Sequence, residues 1–442
     1  MADFINGVLR SKSITPEERK TAQKRVFEAS GNAVLDYISN GPRYPNWTMG
    51  MQATVASLVS VVEMFAEHTS SVDLDAHPEK FDLGVIAHTL RGIRDMPVDI
   101  SGYPGKYETV YWKTHQNEHR SILTQDLFSD EEFAGIQDRV QKELTVPREL
   151  FSEIVVHDSV FDREKKNGFS DQQIFSLSPL HPDEVILVHY HGGGYCYECP
   201  GAYRRSMVDV SESTGYRIFV PDYRLAPEHP FPAGMLDGIE FYFHLMGLGF
   251  KPENIIIMGD SAGGNLCLCI IQILKRKSAK QPRGVVALSP WCSLTPDKDS
   301  YTKNKKYDFV FASTPENPLN PSRLYVNPGV PMSENIKAML NNPLVAPLHF
   351  DFEGCAPIYI QGGEIEMLID HIDELAERVG AKEVLIKGKD HPGFAHPHDR
   401  NIYEKYYGMI HDFFIFQDAA EHYSAIQGIA NFAKKLDNEH KQ

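Results

Sequence analysis

Cysteine is absent from the first 195 residues of this chain, and all 6 that it contains lie from Cys196 onward. Disulfide-built proteins are shorter and far denser in cysteine, so that architecture is excluded and the thiols read as reduced, in an intracellular setting. Positive charge is also in deficit. With 44 Lys+Arg against 60 Asp+Glu the formal net charge is -16, which argues against nucleic acid or an anionic membrane as main partner and suits a neutral substrate. Long apolar runs are missing too. The best candidate, Ala53 to Ala66, places Val55, Leu58, Val59, Val62, Phe65 and Ala66 at helical spacing, with Ser57, Ser60 and Glu63 opposite. It is too short and too one-sided to cross a bilayer. Such a face packs against the rest of a protein, with contact at a lipid surface as the alternative. Met1-Ala2-Asp3-Phe4-Ile5-Asn6 carries no basic segment followed by an apolar core, so no secretion signal is read there and a cytoplasmic location is expected. The sequon Asn46-Trp47-Thr48 carries little weight without such a signal.

What is present begins with a change of pattern near residue 152. Before it, residues 1–150 read as helical and irregular, with charged windows at 17–24 and 130–142. After it, β-rich runs appear at 153–157, 173–177, 185–190, 217–221, 254–258, 285–288, 357–361 and 383–386. From the third onward they alternate with helical stretches at 203–214, 236–247, 262–275, 368–379 and 400–416. Strands alternating with helices predict an α/β fold, with a mostly parallel sheet of eight strands covered on both faces. The first two runs, joined through Asn167-Gly168, predict an antiparallel hairpin at one edge. The expected organisation is a helical cap from residues 1–150 and a catalytic domain over 151–442, with a Pro- and Asn-rich insertion at 295–342 lying over the site.

The centre of that pattern is Gly259-Asp260-Ser261-Ala262-Gly263-Gly264, set between the run Ile255-Ile256-Ile257-Met258 and a helical stretch. A serine flanked by small residues on a strand-to-helix turn is a nucleophile elbow. The turn leaves Oγ at a helix N-terminus, where N–H groups and the dipole favour developing negative charge. Upstream, a buried strand runs into His191-Gly192-Gly193-Gly194-Tyr195. Three glycines let the backbone curl close to a ligand and aim N–H groups inward, as an oxyanion hole requires. His191 reads as a brace for this loop rather than as a base.

With Asp222-Tyr223-Arg224-Leu225-Ala226-Pro227-Glu228 between them, these motifs resemble the hormone-sensitive-lipase group of α/β-hydrolases over roughly residues 152–416. The first part, including Tyr44-Pro45-Asn46-Trp47-Thr48, is loosely similar to fungal steryl-acetate and related deacetylases. The resemblance implies the α/β-hydrolase fold and oxyanion donors at Gly193, Gly194 and Ala262. It also implies structural roles for Gly192 and for the turn carrying Asp222, Arg224 and Glu228. Members of the group often pair through the sheet edge, so a homodimer stands as an open alternative.

A serine nucleophile needs a base, and the base needs a carboxylate to hold its tautomer; in this fold they follow in the order serine, acid, histidine. In Gly363-Glu364-Ile365-Glu366-Met367-Leu368-Ile369-Asp370 the group's spacing falls on Glu366, where aspartate is commoner. Glu364 and Asp370 compete with it. For the base, Asp390-His391-Pro392-Gly393-Phe394 approximates the group's His-Gly-Phe with Pro392 interposed. His391 is therefore expected as the base, with His396 and His398 as competitors. Those histidines with Asp390 and Asp399 could suggest zinc, but no second ligand cluster accompanies them. The pairs Cys196/Cys199 and Cys267/Cys269 read as packing.

The expected function is hydrolysis of short-chain esters of neutral, apolar alcohols by Ser261, His391 and Glu366, with no metal or organic cofactor. An arylformamidase-type amidase and a non-catalytic small-molecule receptor on the same fold are the alternatives.

Overall fold

The computed structural model describes residues 15–69, 82–94, 97–310, 317 and 319–440. The reading of Met1–Asn6, and part of the 295–342 segment, fall outside these residues. Nine strands form one sheet: β1 Gly105–Lys113, β2 Glu149–His157, β3 Ile186–Tyr190, β4 Ile218–Pro221, β5 Ile255–Asp260, β6 Gly284–Leu288, β7 Ile358–Gly363, β8 Glu383–Ile386 and β9 Ile402–Tyr406. Their order is β1-β2-β4-β3-β5-β6-β7-β9-β8. Pairing is antiparallel for β1 with β2 and β2 with β4, and parallel from β4 to β8.

The buried strands are β-branched and apolar on both faces because helices cover both. Side chains alternate between faces. Ile255, Ile257, Val285, Ile358 and Ile360 enter one core, whereas Ile256, Met258, Val286, Leu288 and Tyr359 enter the other. The helices are α1 Pro16–Asn40, α2 Met49–Thr69, α3 Leu83–Arg94, α4 Arg204–Thr214, α5 Ala233–Gly247, α6 Ala262–Arg276, α7 Ile369–Arg378 and α8 Ala420–His440, besides shorter turns. Helices α5, α6 and α7 pack on the first face, while α4 and α8 pack on the second. No helix among the described residues is long and apolar enough to cross a membrane.

Three sequence expectations are corrected. The run at 173–177 is not a strand: Asp171–Ile174 is a helical turn opened by a capping box at Ser170 and Gln173. The antiparallel partner of β2 is instead β1, which lies inside the region read as free of strands. Most of its residues are exposed on both faces, so no apolar alternation marked it. Third, 400–416 is not a helix but β9 and a loop, and the last long helix is Ala420–His440. The sheet therefore has nine strands, not eight.

Candidate active site

In parallel strands the carboxyl ends all point to one edge, and that edge is where ligands bind in open α/β sheets. Four loops meet there: 191–199 after β3, the elbow after β5, 364–368 after β7 and 407–412 after β9.

Ser261 sits at the elbow with φ 49 and ψ -115, a backbone that non-glycine residues hold only under surrounding constraint. The constraint is visible. Its N–H donates to the carbonyl of Leu288 (2.9 Å), and its carbonyl accepts from Asn265 (3.0 Å) and Trp291 (2.9 Å). The glycines around it are obligatory for space: a Cβ on Gly259 would come within 2.3 Å of the Gly263 carbonyl carbon. Gly193 and Gly194 hold φ +94 and +57 and line the same cavity as Ser261. The Gly193 carbonyl accepts from Cys196 (2.9 Å) and Tyr197 (2.8 Å), which curls the loop. Ala262 is the first residue of α6, buried directly beside the serine.

His191 is fully buried and stacks on Tyr223 with ring centroids 4.4 Å apart. Its Nδ1 lies 2.9 Å from the Gly192 carbonyl. Burial pushes its pKa down to about 4, so the ring is neutral and acts as a brace. Arg224 binds Asp237 (2.7 Å) and Glu143. Glu228 takes Arg91 (3.1 Å) and Arg94 (2.9 Å), which ties α3 to the turn. Asp222 donates its N–H to Phe151 and lines an adjoining cavity.

Of the three carboxylates weighed as acid, the structure brings Glu366 inward and leaves the others engaged elsewhere. Glu364 accepts from Tyr44 Oη (3.0 Å) and the Gly408 N–H (2.9 Å), and Asp370 accepts from the Ser300 N–H (2.9 Å). Glu366 is fully buried; its Oε2 accepts from Ser289 Oγ (2.6 Å) and the Gly363 N–H (3.1 Å) and lies 3.9 Å from His411 Nδ1. Burial raises its pKa to about 8 against the opposing pull of His411 and Ser289.

His391 does not reach this edge. Its Nε2 lies 2.8 Å from Glu404, its Nδ1 accepts from the Gly393 N–H (3.0 Å), and its own N–H donates to Gln427 (2.9 Å) of α8. His396 and His398 are exposed. The histidine that lines the cavity with Ser261 is His411, and the reason is topological. His391 follows β8, the outermost strand, whereas His411 follows β9, which pairs directly with β7 and its acid loop. The two loops are bonded together: Glu364 N–H to Tyr406 O at 2.9 Å and Ile365 N–H to Met409 O at 3.0 Å.

The available signal was His411-Asp412-Phe413, which keeps the outer residues of His-Gly-Phe. Asp412 stands at φ 51 and ψ 33, a left-handed conformation that aspartate tolerates better than most side chains. Its Oδ2 lies 3.1 Å from His411 Nε2. Burial alone would lower the imidazole pKa, but the Asp412, Glu366 and Asp308 carboxylates around it raise it to about 10. Asp308 joins the two loops, accepting from Met367 (2.7 Å) and His411 (3.4 Å) N–H groups. From the N-terminal region, Asn46 Nδ2 donates to Tyr407 O (2.8 Å) and Trp47 Nε1 to Gly408 O (2.7 Å). Sequence reasoning missed His411, Asp412, Asp308 and Ser289, because each acquires its place only through a loop from elsewhere in the chain.

The cavity at this edge is about 220 Å³ and is walled mainly by apolar and aromatic side chains, among them Val61, Val62, Trp291, Phe309 and Leu368. Val61 and Val62 come from α2, the amphipathic helix, so its face packs against the protein.

A family model described as "alpha/beta hydrolase fold" matches residues 187–399. The chain is 29% identical over 253 residues to an esterase of Acinetobacter venetianus, covering 57% of this chain and 75% of that one. It is 33% identical over 137 residues to human hormone-sensitive lipase, covering 30% of this chain and 13% of that protein. Among solved structures it resembles an esterase from the bacterial hormone-sensitive lipase family, at 23% identity and a TM-score of 0.52, covering 86% and 97% of the two chains. With the sheet and elbow described above, the fold is that of the α/β-hydrolases. Within that fold, its relatives by sequence bear the names esterase, acetyl-hydrolase and hormone-sensitive lipase.

Proposed function

We propose that this protein is a serine esterase acting on small esters, with Ser261 as nucleophile, His411 as base and Glu366 as the acid behind it. The observation that carries this reading is the meeting of Ser261, His411, Gly193 and Gly194 around one cavity, with Glu366 buried at Nδ1 of His411. Ser261 Oγ gives its proton to His411 Nε2 and attacks the ester carbonyl. The oxyanion is received by the N–H groups of Gly193, Gly194 and Ala262. Each such donor contributes on the order of 3 kcal/mol to barrier lowering. His411 then protonates the leaving alcohol, and water hydrolyses the acyl-enzyme by the same route in reverse. The small cavity supports short acyl chains.

Hydrolysis of p-nitrophenyl esters from acetyl to lauryl tests this directly. Activity is expected to peak at acetyl to butyryl, and a fluorophosphonate probe is expected to label Ser261. An unlabelled serine with no turnover of any ester would leave the receptor alternative, and faster turnover of the matching anilides would favour the amidase.

The surroundings of His411 also set a pH dependence. A general base must be neutral, and here three carboxylates hold the imidazole charged. The rate is therefore expected to rise as pH rises through the alkaline range. Asp412→Asn removes one of those charges. The rising limb of kcat/KM should move toward neutral pH by about one unit, raising activity at pH 7 by roughly tenfold. A limb unchanged in this variant would refute the role assigned to Asp412.

A further inference from the structure

Glu198 has no part in the acyl-transfer machinery above, yet it lines the nucleophile's cavity. Its backbone is left-handed, φ 67, a conformation that costs free energy for a glutamate and persists only where the surroundings enforce it. Its Cγ lies 2.9 Å from where a Cβ on Gly193 would stand, so its side chain rests directly over the oxyanion loop. Glu198 also lines a second cavity, of about 770 Å³, that holds Arg91, Arg94, Arg204 and Arg224. Each of these arginines is engaged by another acid: Glu228 for Arg91 and Arg94, Glu153 for Arg204 and Asp237 for Arg224. Glu198 forms no hydrogen bond or ion pair with any described residue.

A carboxyl that shares a cavity with four arginines and is bonded to none of them is not held in a structural ion pair with them, and partly desolvating it is unfavourable. Its free face is the active-site cavity. There the walls include the rings of Tyr203, Trp291, Tyr301 and Phe309. A second acid on the same wall, Asp412, is only 7% exposed and leaves Oδ1 without a hydrogen bond. Burial, together with the nearby Asp260 and Asp412 charges, pushes the Glu198 carboxyl up to about 8. Two acids, Glu198 and Asp412, thus share this wall with a set of aromatic faces.

We propose, resting on the esterase reading above, that Glu198 is a specificity-determining residue that selects esters whose alcohol carries a cationic ammonium group. The carboxylate neutralises the cation and the ring faces attract it through their quadrupoles. An acetate of a cationic amino alcohol is therefore a better substrate for this protein than an uncharged acetate of the same shape.

The test compares kcat/KM at pH 9 for choline acetate and for 3,3-dimethylbutyl acetate, its neutral isostere with carbon in place of nitrogen. The cationic ester is expected to be favoured by about tenfold or more, and this ratio should fall to near one in Glu198→Gln. Because the ratio is taken within each protein, changes in overall rate or folded fraction cancel. A measurement without any variant runs beside it: tetramethylammonium chloride should compete with p-nitrophenyl acetate, whereas sodium chloride at equal ionic strength should not. A ratio near one in the wild type, a ratio unchanged in Glu198→Gln, or no competition by tetramethylammonium overturns the inference. If the neutral ester is turned over and Ser261 is labelled, such a result removes the selectivity alone and the esterase reading stands. If neither ester is turned over and Ser261 resists the fluorophosphonate, both fall.

Discussion

Replacing Ser261 or His411 with alanine is expected to lower kcat/KM on p-nitrophenyl acetate by about 10⁴- to 10⁶-fold, while His391→Gln changes it by less than about threefold. The two single losses should not add in the double variant, because nucleophile and base act as one unit. The contrast between the two histidines discriminates most sharply. His411 lines the cavity with Ser261 and stands in front of Glu366. His391 instead lies against Glu404 of β9 and Gln427 of α8. Its replacement should appear as lost stability of about 1–3 kcal/mol, since the buried Glu404 carboxylate loses one of its partners, and not as lost chemistry. Urea denaturation read beside the kinetics separates the two effects. A His391→Gln protein that is folded but inactive, or a His411→Ala protein retaining a tenth of wild-type activity, would contradict the assignment.

Gly263→Ala is expected to be the most disruptive single-methyl change in the chain. A Cβ there would stand 1.8 Å from the carbonyl oxygen of Tyr190 and 2.7 Å from that of His191. Both obstacles are backbone at the end of β3, so no side chain can swing aside. Relief requires α6 to move away from the sheet, which separates Ser261 from the Gly193–Gly194 loop. Overpacking of this kind costs on the order of 3 kcal/mol or more, a large share of the roughly 5–15 kcal/mol that holds a typical domain folded. A lower urea midpoint and, in the folded fraction, a loss of turnover should appear together. Gly31→Ala is the control: it lies in α1 with nothing within 4 Å of the added carbon. Alanine should raise helix stability there by about 0.5–1 kcal/mol. Equal effects at both positions would mean that crowding at the elbow is not what requires glycine at 263.

Much of the nucleophile's side of the site was legible from local pattern. Ser261 and its glycines, and Gly193 with Gly194 after β3, are each contained in a single strand-and-turn unit, where residue size and backbone freedom speak within a few positions. Glu366 was legible too, because it follows its own strand by a short, regular interval. His391 was read as the base because it follows the last strand that apolar pattern reveals. Strand β9 is half polar, Ile402-Tyr403-Glu404-Lys405-Tyr406, and its polar members are satisfied by partners: Lys405 by Asp373 and Glu383, and Glu404 by Tyr359 and His391. A strand whose charges are paired inside the fold does not look like a strand in isolation.

By itself, then, the sequence determined the α/β class, the elbow and the glycine loop after β3, since each is set by steric demands and hydrophobic period over neighbouring residues. Only the tertiary structure decided which histidine lines the cavity with Ser261. Strand β9 inserts between β7 and β8 and so brings the loop of His411, not that of His391, against the loop of Glu366. Strand order is a non-local property, fixed by which edges bury most surface and pair most hydrogen bonds, and no window along the chain contains it.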